Sequence, residues 1–302
     1  MSVQKNEINR IAYLDGWRAA ARVAAGRADD PSYQFEYITS EARADFRVLM
    51  PHGHDDIVLD IGSGWGNITV AFARTSKHVF ALDKSNENLE FIRIRSHQEG
   101  IKNITLIQAD AEEIPLPSNS CNIALMVGAL EWVAWGKSGS RPQKVQEKVL
   151  NNICAKLTPG GCLYIGIENR YSYKYILGNR EPHTGLRFIS LLPMPIANLY
   201  SRLSRGYEYR EITYSLRGMV HILKQAGFSH VKIMFPIPGY QNFRYITDYK
   251  TTCMAKFLFH KLRSHPKFTN THYIASRLAL AFRLHKLTAP CFSVFAYKGD
   301  NN

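Results

Sequence analysis

The stretch that most constrains the fold is residues 57–67, with the sequence IVLDIGSGWGN. An apolar run reaches Asp60 and is followed by Gly62, Gly64 and Gly66, after which a helical pattern begins at Asn67. A buried parallel strand that ends in a tight turn and leads into a helix has this pattern. Glycine is needed in such a turn because a side chain would block both a positive-φ backbone and the close approach of a ligand.

Two further apolar runs end in acidic residues. Residues 79–83 (VFALD) end in Asp83, a candidate acceptor for the hydroxyls of a ribose, and residues 104–111 (ITLIQADA) contain Asp110, a candidate acceptor for an adenine amino group. The carboxyl ends of parallel strands meet at one edge of the sheet, where ligands bind. The three strand ends therefore predict a nucleoside site, and the alternative is a packing turn with both acids acting as helix caps.

These features resemble motifs I to III of the class I S-adenosylmethionine-dependent methyltransferases, and residues 111–133 are similar to the branch containing ubiquinone-biosynthesis methyltransferases. The order DIGSGWG fits this family better than the GxGxxG dinucleotide fingerprint. The resemblance implies S-adenosylmethionine as the cofactor. The residues expected to hold it are Asp60, Gly62 and Gly64 at the methionine portion, Asp83 and the adjacent Lys84 at the ribose, Asp110 and Ala111 at the adenine, and Gly128 at the floor of the site.

Strand and helix patterns alternate from 57 to 167, which predicts a parallel sheet with right-handed crossovers. The predicted strands are 57–61, 78–82, 104–108, 122–128, 161–169, 230–235 and 291–299, and the helices between them are 67–75, 86–99, 142–157 and 216–228. The fold class is therefore α/β, a Rossmann-like seven-stranded methyltransferase sheet whose last strand is antiparallel.

Six segments are predicted along the chain. They are a helical N-terminal extension (1–50), the cofactor-binding core (51–169), an acceptor-side insertion (170–213), a core helix with strand six (214–238), a basic helical insertion (239–290), and strand seven with the tail (291–302). Within the extension, 11–26 and 40–50 have helical patterns, the second with Ser40 as N-cap. These helices either cover the cofactor pocket or pack outside the sheet.

The net charge of +13 is carried by two parts of the chain. Residues 170–217 have 8 Lys and Arg against 3 Asp and Glu, and residues 239–302 have 10 against 2. Both parts leave strands at the ligand-binding edge, so we expect them to form a basic cap over the methyl acceptor. An anionic small molecule or glycan is the acceptor that this charge favours.

The composition and the cysteine pattern indicate the compartment in which the protein is found. Hydrophobic residues make up 45% of the chain, but no apolar run approaches the roughly 20 residues of a membrane span, and the N-terminus lacks the apolar core of a signal peptide. The five cysteines are scattered without metal-ligand spacing. These features predict a cytoplasmic protein with neither a structural disulfide nor a zinc site.

The methyl group of S-adenosylmethionine is intrinsically reactive, so the enzyme mainly aligns a nucleophile, and no metal is required. A hydroxyl acceptor also needs a base. His183, in EPHTG, is the candidate base, and its alternative role is a hydrogen-bonded loop anchor. Glu131 and Trp132 follow strand four and either face the acceptor or begin a helix with Trp132 in the core.

The stretch 167–193 begins with ENRYSYKY and contains HTGL, which resembles methyltransferases associated with bacterial polysaccharide and lipopolysaccharide assembly. This resemblance favours O-methylation of a saccharide, with Asn169, Arg170 and Tyr171 as acceptor-binding residues. Arginine can hold a sugar phosphate through its planar fork, or it can form an ion pair within the insertion. The arginine-rich segment 200–210 departs from the subgroup pattern.

The basic segment 254–288 has a helical stripe formed by Ile274, Leu278, Ala281, Phe282 and His285. Such a helix can lie on the inner face of an anionic membrane, or it can pack on the sheet. Two other functions stay open from the sequence. One is RNA methylation, favoured by the basic charge but without a recognisable RNA-binding module, and the other is a catalytically inactive cofactor-binding scaffold.

Overall fold

The computed structural model describes residues 2–137, 139–249, 256, 260 and 270–299. Its centre is a sheet with the strand order β3-β2-β1-β4-β5-β8-β6-β7. The strands are β1 (Ile57–Ile61), β2 (His78–Asp83), β3 (Ile104–Gln108), β4 (Cys121–Val127), β5 (Leu157–Glu168), β6 (Phe228–Ile237), β7 (Tyr245–Thr247) and β8 (Cys291–Lys298).

Strands β1 to β5 pair in parallel, and β8 lies between β5 and β6, antiparallel to both. The last strand is therefore antiparallel, as predicted. The predicted count of seven is one short within the described residues, because β7 adds an eighth strand at the edge beside β6. Three residues are too few to give a periodic pattern, so this strand had no signal in the sequence.

Helices cover both faces of the sheet. They are α1 (Ser2–Asp15), α2 (Trp17–Gly26), α3 (Pro31–Thr39), α4 (Asn67–Ala73), α5 (Asn86–Gln98), α6 (Pro142–Lys156), α7 (Tyr173–Ile176), α8 (Met194–Arg205), α9 (Leu216–Gln225) and α10 (Asn270–Ala281), with 3-10 helices at Glu41–Leu49, Leu130–Trp132 and Ile189–Leu191. One hydrophobic core includes Leu150 of α6 and Leu223 of α9, and a second includes Phe72 of α4 and Phe46 of the first 3-10 helix. The sheet is thus the middle of three layers.

Several local predictions differ from the structure. The helix predicted over 11–26 is broken at Gly16, whose φ of +94° separates α1 from α2. The segment after Ser40 is a 3-10 helix, and the Ser40 side chain makes no capping hydrogen bond. Strand β5 begins at Leu157 rather than at the predicted residue 161, because Leu157 already pairs with Cys121.

The two insertions differ in how much of them is described. In 170–213, a small core of Ile189, Ala197, Tyr209 and Ile212 holds α8 against the following segment. Part of 239–290 lies outside the described residues, including most of residues 254–269 of the predicted basic segment 254–288. The predicted stripe on α10 does not pack on the sheet, because Ile274 and Leu278 are each more than half exposed. Contact of this stripe with a membrane stays a prediction.

The described cysteines are Cys121, Cys154, Cys162 and Cys291, and all of them are buried free thiols. Cys253 lies outside the described residues. Within the part of the chain that the structure describes, no helix is both long and apolar enough to cross a bilayer.

The N-terminal helices α1 and α2 pack against α5, and Arg95 lies at the centre of this contact. The Arg95 side chain is fully buried beneath the Trp17 ring, 4.1 Å from its centroid. Its Nε donates to Glu99 at 3.2 Å, and its Nη2 lies 3.4 Å from Glu41. One guanidinium therefore joins α5 to the extension by both charge and stacking.

We expect Arg95→Ala to lower the free energy of unfolding by about 2–4 kcal/mol, because breaking a buried ion pair is costly while Glu99 keeps Arg74 as a partner. Urea unfolding of the purified chain measures this change. Arg93→Ala on the same helix is the matched control, since its pair with Glu90 is solvent-exposed and should contribute no more than about 0.5 kcal/mol. Equal losses in the two variants would contradict the central position of Arg95.

Candidate active site

The glycine turn between β1 and α4 adopts the left-handed backbone that the sequence predicts. The φ angles of Gly62, Gly64 and Gly66 are +73°, +54° and +72°. A Cβ at Gly62 would lie 2.8 Å from the Ala129 side chain, and one at Gly66 would lie 2.5 Å from Ile92. At Gly64 the nearest atom would be the Gly62 carbonyl oxygen at 3.8 Å, so this face of the turn is open for a ligand.

Asp83, at the end of β2, is hydrogen-bonded to the glycine turn. One carboxylate oxygen accepts hydrogen bonds from the Gly64 amide at 2.9 Å and the Asn88 side chain at 3.0 Å, and the other accepts from the Ser85 amide at 2.9 Å. A carboxylate accepts about four hydrogen bonds, so Asp83 keeps capacity for a ribose hydroxyl. Lys84 is exposed beside it.

Asp110 follows β3 and lies next to the half-buried Ala111. Its Oδ1 accepts from Lys137 Nζ at 2.8 Å and from the Glu112 amide at 3.0 Å. Burial raises the pKa of Asp110, but these contacts outweigh it and hold the pKa below its usual value. Among the described residues nothing donates to Oδ2, which leaves a charged oxygen suited to an adenine amino group.

Asp60 occupies a different position from the other cofactor residues. Its side chain is buried under the turn and accepts a 2.6 Å hydrogen bond from Thr69 of α4. Burial raises the pKa of Asp60 to about 6. The structure therefore gives Asp60 a role in joining β1 to α4, and its contact with the methionine portion stays a prediction.

Gly128 ends β4 with a φ of +66°, and it lies against Tyr240. A Cβ at Gly128 would be 2.9 Å from the Tyr240 hydroxyl, and one at Gly166 of β5 would be 2.7 Å from the Tyr240 ring. Tyr240 comes from the segment after β6 and covers the ends of both strands. The sequence analysis missed this residue, although a glycine inside the apolar run CLYIGIE was a signal for close approach of another group.

Glu131, Glu168 and His183 meet at the same edge of the sheet. His183 Nε2 lies 3.4 Å from Glu131 Oε1 and 3.7 Å from Glu168 Oε2, and its Nδ1 lies 2.5 Å from Glu181 Oε1. The half-exposed Trp132 ring packs edge-on against the imidazole at 5.0 Å. The structure thus brings together the predicted pair of His183 and Glu131, and adds Glu168 and Glu181, which the sequence analysis missed.

The charges of this cluster alter the role predicted for His183. Burial lowers the pKa of His183, but the Glu131, Glu181 and Glu168 carboxylates outweigh it and raise the pKa to about 11. Burial and the nearby Glu131 charge raise the pKa of Glu168 to about 7. These carboxylates favour the imidazolium form of His183, so the geometry disfavours a neutral base at this position, and the catalytic role of His183 stays a prediction.

Glu181 bears on the alternative role predicted for His183, that of a hydrogen-bonded loop anchor. Its second oxygen accepts from the backbone amides of His183 and Thr184, at 3.1 and 2.8 Å. Burial raises the pKa of Glu181, but these contacts and His183 lower it overall. The loop is therefore anchored on Glu181, and the imidazole is oriented from there.

The residues predicted to bind the acceptor have other partners. Asn169 is fully buried, and its amide nitrogen donates to the carbonyls of Leu287 and Ala289, each at 2.7 Å. Asn169 therefore ties the end of β5 to the segment before β8, which corrects its assignment to the acceptor. Arg170 donates to the Leu192 carbonyl at 2.8 Å, within the insertion, while Tyr171 is 44% exposed.

A cavity of about 720 Å³ opens beside the cluster. Its walls come from α3, residues 172–182 and the segment 236–244, so both the extension and the two insertions contribute. The aromatic lining residues are Tyr33, Tyr173, Tyr175, Tyr240, Phe243 and Tyr249, and the charged ones are Asp30, Glu36, Arg43, Glu168, Lys174, Arg180 and Arg244.

A family model described as a methyltransferase domain matches residues 59–165, the part that carries the glycine turn and the strand-end acids. Residues 59–165 are a class I S-adenosylmethionine-dependent methyltransferase domain. The glycine turn, Asp83 and Asp110 fit this cofactor, because the turn is open at Gly64 and both acids keep acceptor capacity at neighbouring strand ends.

Three curated relatives match parts of this chain. The Azotobacter vinelandii ubiquinone/menaquinone biosynthesis C-methyltransferase is 30% identical over 58% of this chain and 66% of its own length. Ribosomal RNA small subunit methyltransferase G of Pectobacterium carotovorum is 34% identical over 37% of this chain and 53% of its own. The cobalt-precorrin-6B C(15)-methyltransferase (decarboxylating) of Methanothermobacter thermautotrophicus is 28% identical over 41% and 59%.

The chain thus spans between about half and two thirds of the length of these relatives, and their names do not mention polysaccharide assembly. The subgroup resemblance therefore stays a prediction. Among solved structures, a chain from the complex of the Haloferax volcanii Trm112 methyltransferase activator with a methyltransferase aligns over 96% of this chain and 97% of its own, with a TM-score of 0.53. At 16% identity this likeness shows the fold alone.

We expect Asp83→Ala to weaken S-adenosylmethionine binding at least tenfold, about 1.4 kcal/mol, because it removes the acceptor for the ribose and the partner of the Gly64 amide. Calorimetry on the purified chain measures this, and the unfolding midpoint checks that the variant is folded. Asp45→Ala, an exposed acid of the first 3-10 helix, is the control and should bind as wild type does. Undiminished binding by Asp83→Ala would place the cofactor elsewhere.

The buried Asp60 predicts a pH dependence of stability. Its pKa in the folded chain, about 6, is above its ordinary value of 3.8, so the folded state holds the proton more tightly. The resulting stabilisation is full below pH 3.8 and is lost as the pH rises through 6, in total about 3 kcal/mol. Urea unfolding between pH 4 and 7 should show this fall for wild type, and the slope should be smaller in Asp60→Asn. Equal slopes would contradict the burial of an ionisable Asp60.

Proposed function

We propose that this chain transfers a methyl group from S-adenosylmethionine to a hydroxyl of an anionic saccharide or a related polar small molecule. The observation that carries the proposal is the 720 Å³ cavity, which is lined by Glu168 and by Tyr240 where they meet the ends of β4 and β5. The cofactor residues lie at this same edge of the sheet. An acceptor in the cavity would therefore face the methyl group.

The chain's own residues provide what hydroxyl methylation needs. The cofactor supplies an electrophilic methyl group, so the protein has to orient the acceptor and receive its proton. Glu168 is the carboxylate at the inner end of the cavity, and its Oε2 is 3.4 Å from the Tyr240 hydroxyl. We assign proton uptake to the Glu168 carboxylate and orientation of the carboxylates to His183.

The lining favours a polar and anionic acceptor. Tyrosine rings offer flat apolar faces together with hydroxyl groups, a combination suited to sugar rings. Lys174 and Arg244 also line the cavity, and neither side chain forms an ion pair with a residue that the structure describes. Arg43 is already committed, since it donates to the carbonyls of Gln241 and Tyr37. Arg180 donates one Nη to the Gly185 carbonyl and forms no ion pair with a described residue. Lys174, Arg180 and Arg244 are thus cations of the lining that are open to a phosphate or carboxylate.

We expect Glu168→Gln to lower kcat at least 100-fold with S-adenosylmethionine affinity unchanged, because a carboxamide cannot take up the proton. The Lys174→Ala, Arg244→Ala double variant should raise KM for the acceptor and leave kcat near wild type. Methyl transfer from radiolabelled cofactor to a panel of sugar phosphates and acidic glycans measures both. Arg93→Ala is the surface control. Full activity in the Glu168→Gln variant would contradict the assignment of proton uptake to Glu168.

RNA is the second candidate acceptor, favoured by the net charge of +13 and by the relative named as a ribosomal RNA methyltransferase. The two candidates differ in their dependence on salt, since RNA binding releases several counterions while a small anion in a cavity releases few. Methylation of RNA but not of the glycan panel, with affinity falling steeply with salt, would replace our proposal. Cofactor binding without transfer to either acceptor would indicate an inactive scaffold.

A further inference from the structure

The cluster at the inner end of the cavity carries more negative than positive charge. Glu131, Glu168 and Glu181 surround the single cation of His183. The Glu131 side chain is fully buried, and among the described residues neither of its oxygens accepts a hydrogen bond. A buried carboxylate without hydrogen-bond donors is costly, and the cation beside it among the described residues is the His183 ring at 3.4 Å, so the place of the Nε2 proton is suited to a small metal cation.

The donor atoms have the spacing of a metal site. One oxygen each from Glu131 and Glu168 and one nitrogen from His183 lie within 4.8 Å of one another. The two separations from His183 Nε2 are 3.4 and 3.7 Å. Ligands about 2.1 Å from a cation are separated by about 3.0 Å at right angles and about 3.4 Å in a tetrahedron. The two separations from His183 therefore lie near those of a metal site, and an inward movement of the carboxylates would let the three atoms bind one ion.

The surrounding contacts also match a metal site. A ligating histidine ordinarily gives its other ring N–H to a carboxylate, which fixes the ring and its tautomer. Here Nδ1 of His183 is 2.5 Å from Glu181 Oε1, and Glu181 is itself held by two backbone amides. Glu168 is held in turn by the Tyr240 hydroxyl. Nε2 is thus aimed at the space between Glu131 and Glu168.

We propose that Glu131, Glu168 and His183 bind one divalent first-row transition cation. Two carboxylates and one imidazole suit Mn²⁺, Fe²⁺ or Zn²⁺, and three protein ligands leave further coordination positions open. Binding of the ion displaces the proton from His183 Nε2, and Glu168, which lines the cavity, connects this site to it. This inference deepens the proposed function and its catalytic part rests on it. A cation at this place would draw the acceptor hydroxyl to the inner end of the cavity and ease the transfer of its proton to the Glu168 oxygen that does not bind the ion.

The test is binding of the metal alone to the full chain, after chelator treatment and without cofactor or acceptor. We expect loss of the free Mn²⁺ electron paramagnetic resonance signal at one ion per chain in the micromolar range, and displacement of that ion by Zn²⁺. Glu131→Gln keeps the side-chain shape but removes the charge, and it should weaken binding at least tenfold. Glu211→Gln is the matched control, because Glu211 is equally buried but pairs with Arg205, so it should bind as wild type does.

Thermal unfolding midpoints establish that both variants are folded. Absence of Mn²⁺ binding by the wild type, together with absence of Zn²⁺ binding by calorimetry, would overturn the proposal and leave the imidazolium as the sole counter-charge. Unchanged binding by a folded Glu131→Gln would do the same. Neither outcome bears on methyl transfer. A chain that binds Mn²⁺ but methylates no acceptor would instead contradict the proposed function and leave the proposed metal site standing.

Discussion

The hydrogen bonds between the turn after β1 and the end of β2 are the interaction on which the rest of this site depends. The amides of Gly62 and Ser63 donate to the Leu82 carbonyl at 2.8 and 3.2 Å, and the Gly64 amide donates to Asp83. These bonds hold three successive residues of the turn against the neighbouring strand. Because the three glycines have positive φ, the turn can make them without steric strain. The position of Asp83 is therefore coupled to the shape of the turn.

Much of this arrangement could be predicted because it depends on short stretches of sequence. A glycine turn, an acid at the end of a strand and an apolar run each leave a local pattern, and the strands of the core lie within a few residues of their predicted bounds. Tyr240 leaves no such pattern, whereas Glu168 ends β5 with the same local pattern but was not predicted to belong to the site. Tyr240 reaches Gly128 and Gly166 only because β8 places β6 beside the end of the parallel strands, which is a property of the whole sheet.

The roles of side chains were harder to predict than their positions. His183 and Glu131, which were both candidates for the chemistry, lie together, yet the carboxylates around His183 raise its pKa and favour the charged ring. Asn169 directly follows β5 at the ligand-binding edge of the sheet, but its amide donates hydrogen bonds to the segment before β8. In both cases the partners come from distant segments. Ligand spacing along the chain likewise could not reveal Glu131, Glu168 and His183 as one group, since each lies on a different element.

The charged side chains that line the cavity differ in exposure, and this difference restricts how an acceptor of the proposed kind would enter. Arg180 and Arg244 are exposed on its outer side together with Asp30 and Glu36, while Glu168 is largely buried at the end that meets β4 and β5. An anionic group would be attracted to the arginines and repelled by Glu168, so it would stay on the outer side. A hydroxyl can approach the carboxylates because it donates a hydrogen bond to them. An acceptor with an anionic group at one end and a hydroxyl at the other would therefore enter in one orientation, with the hydroxyl towards the methyl group.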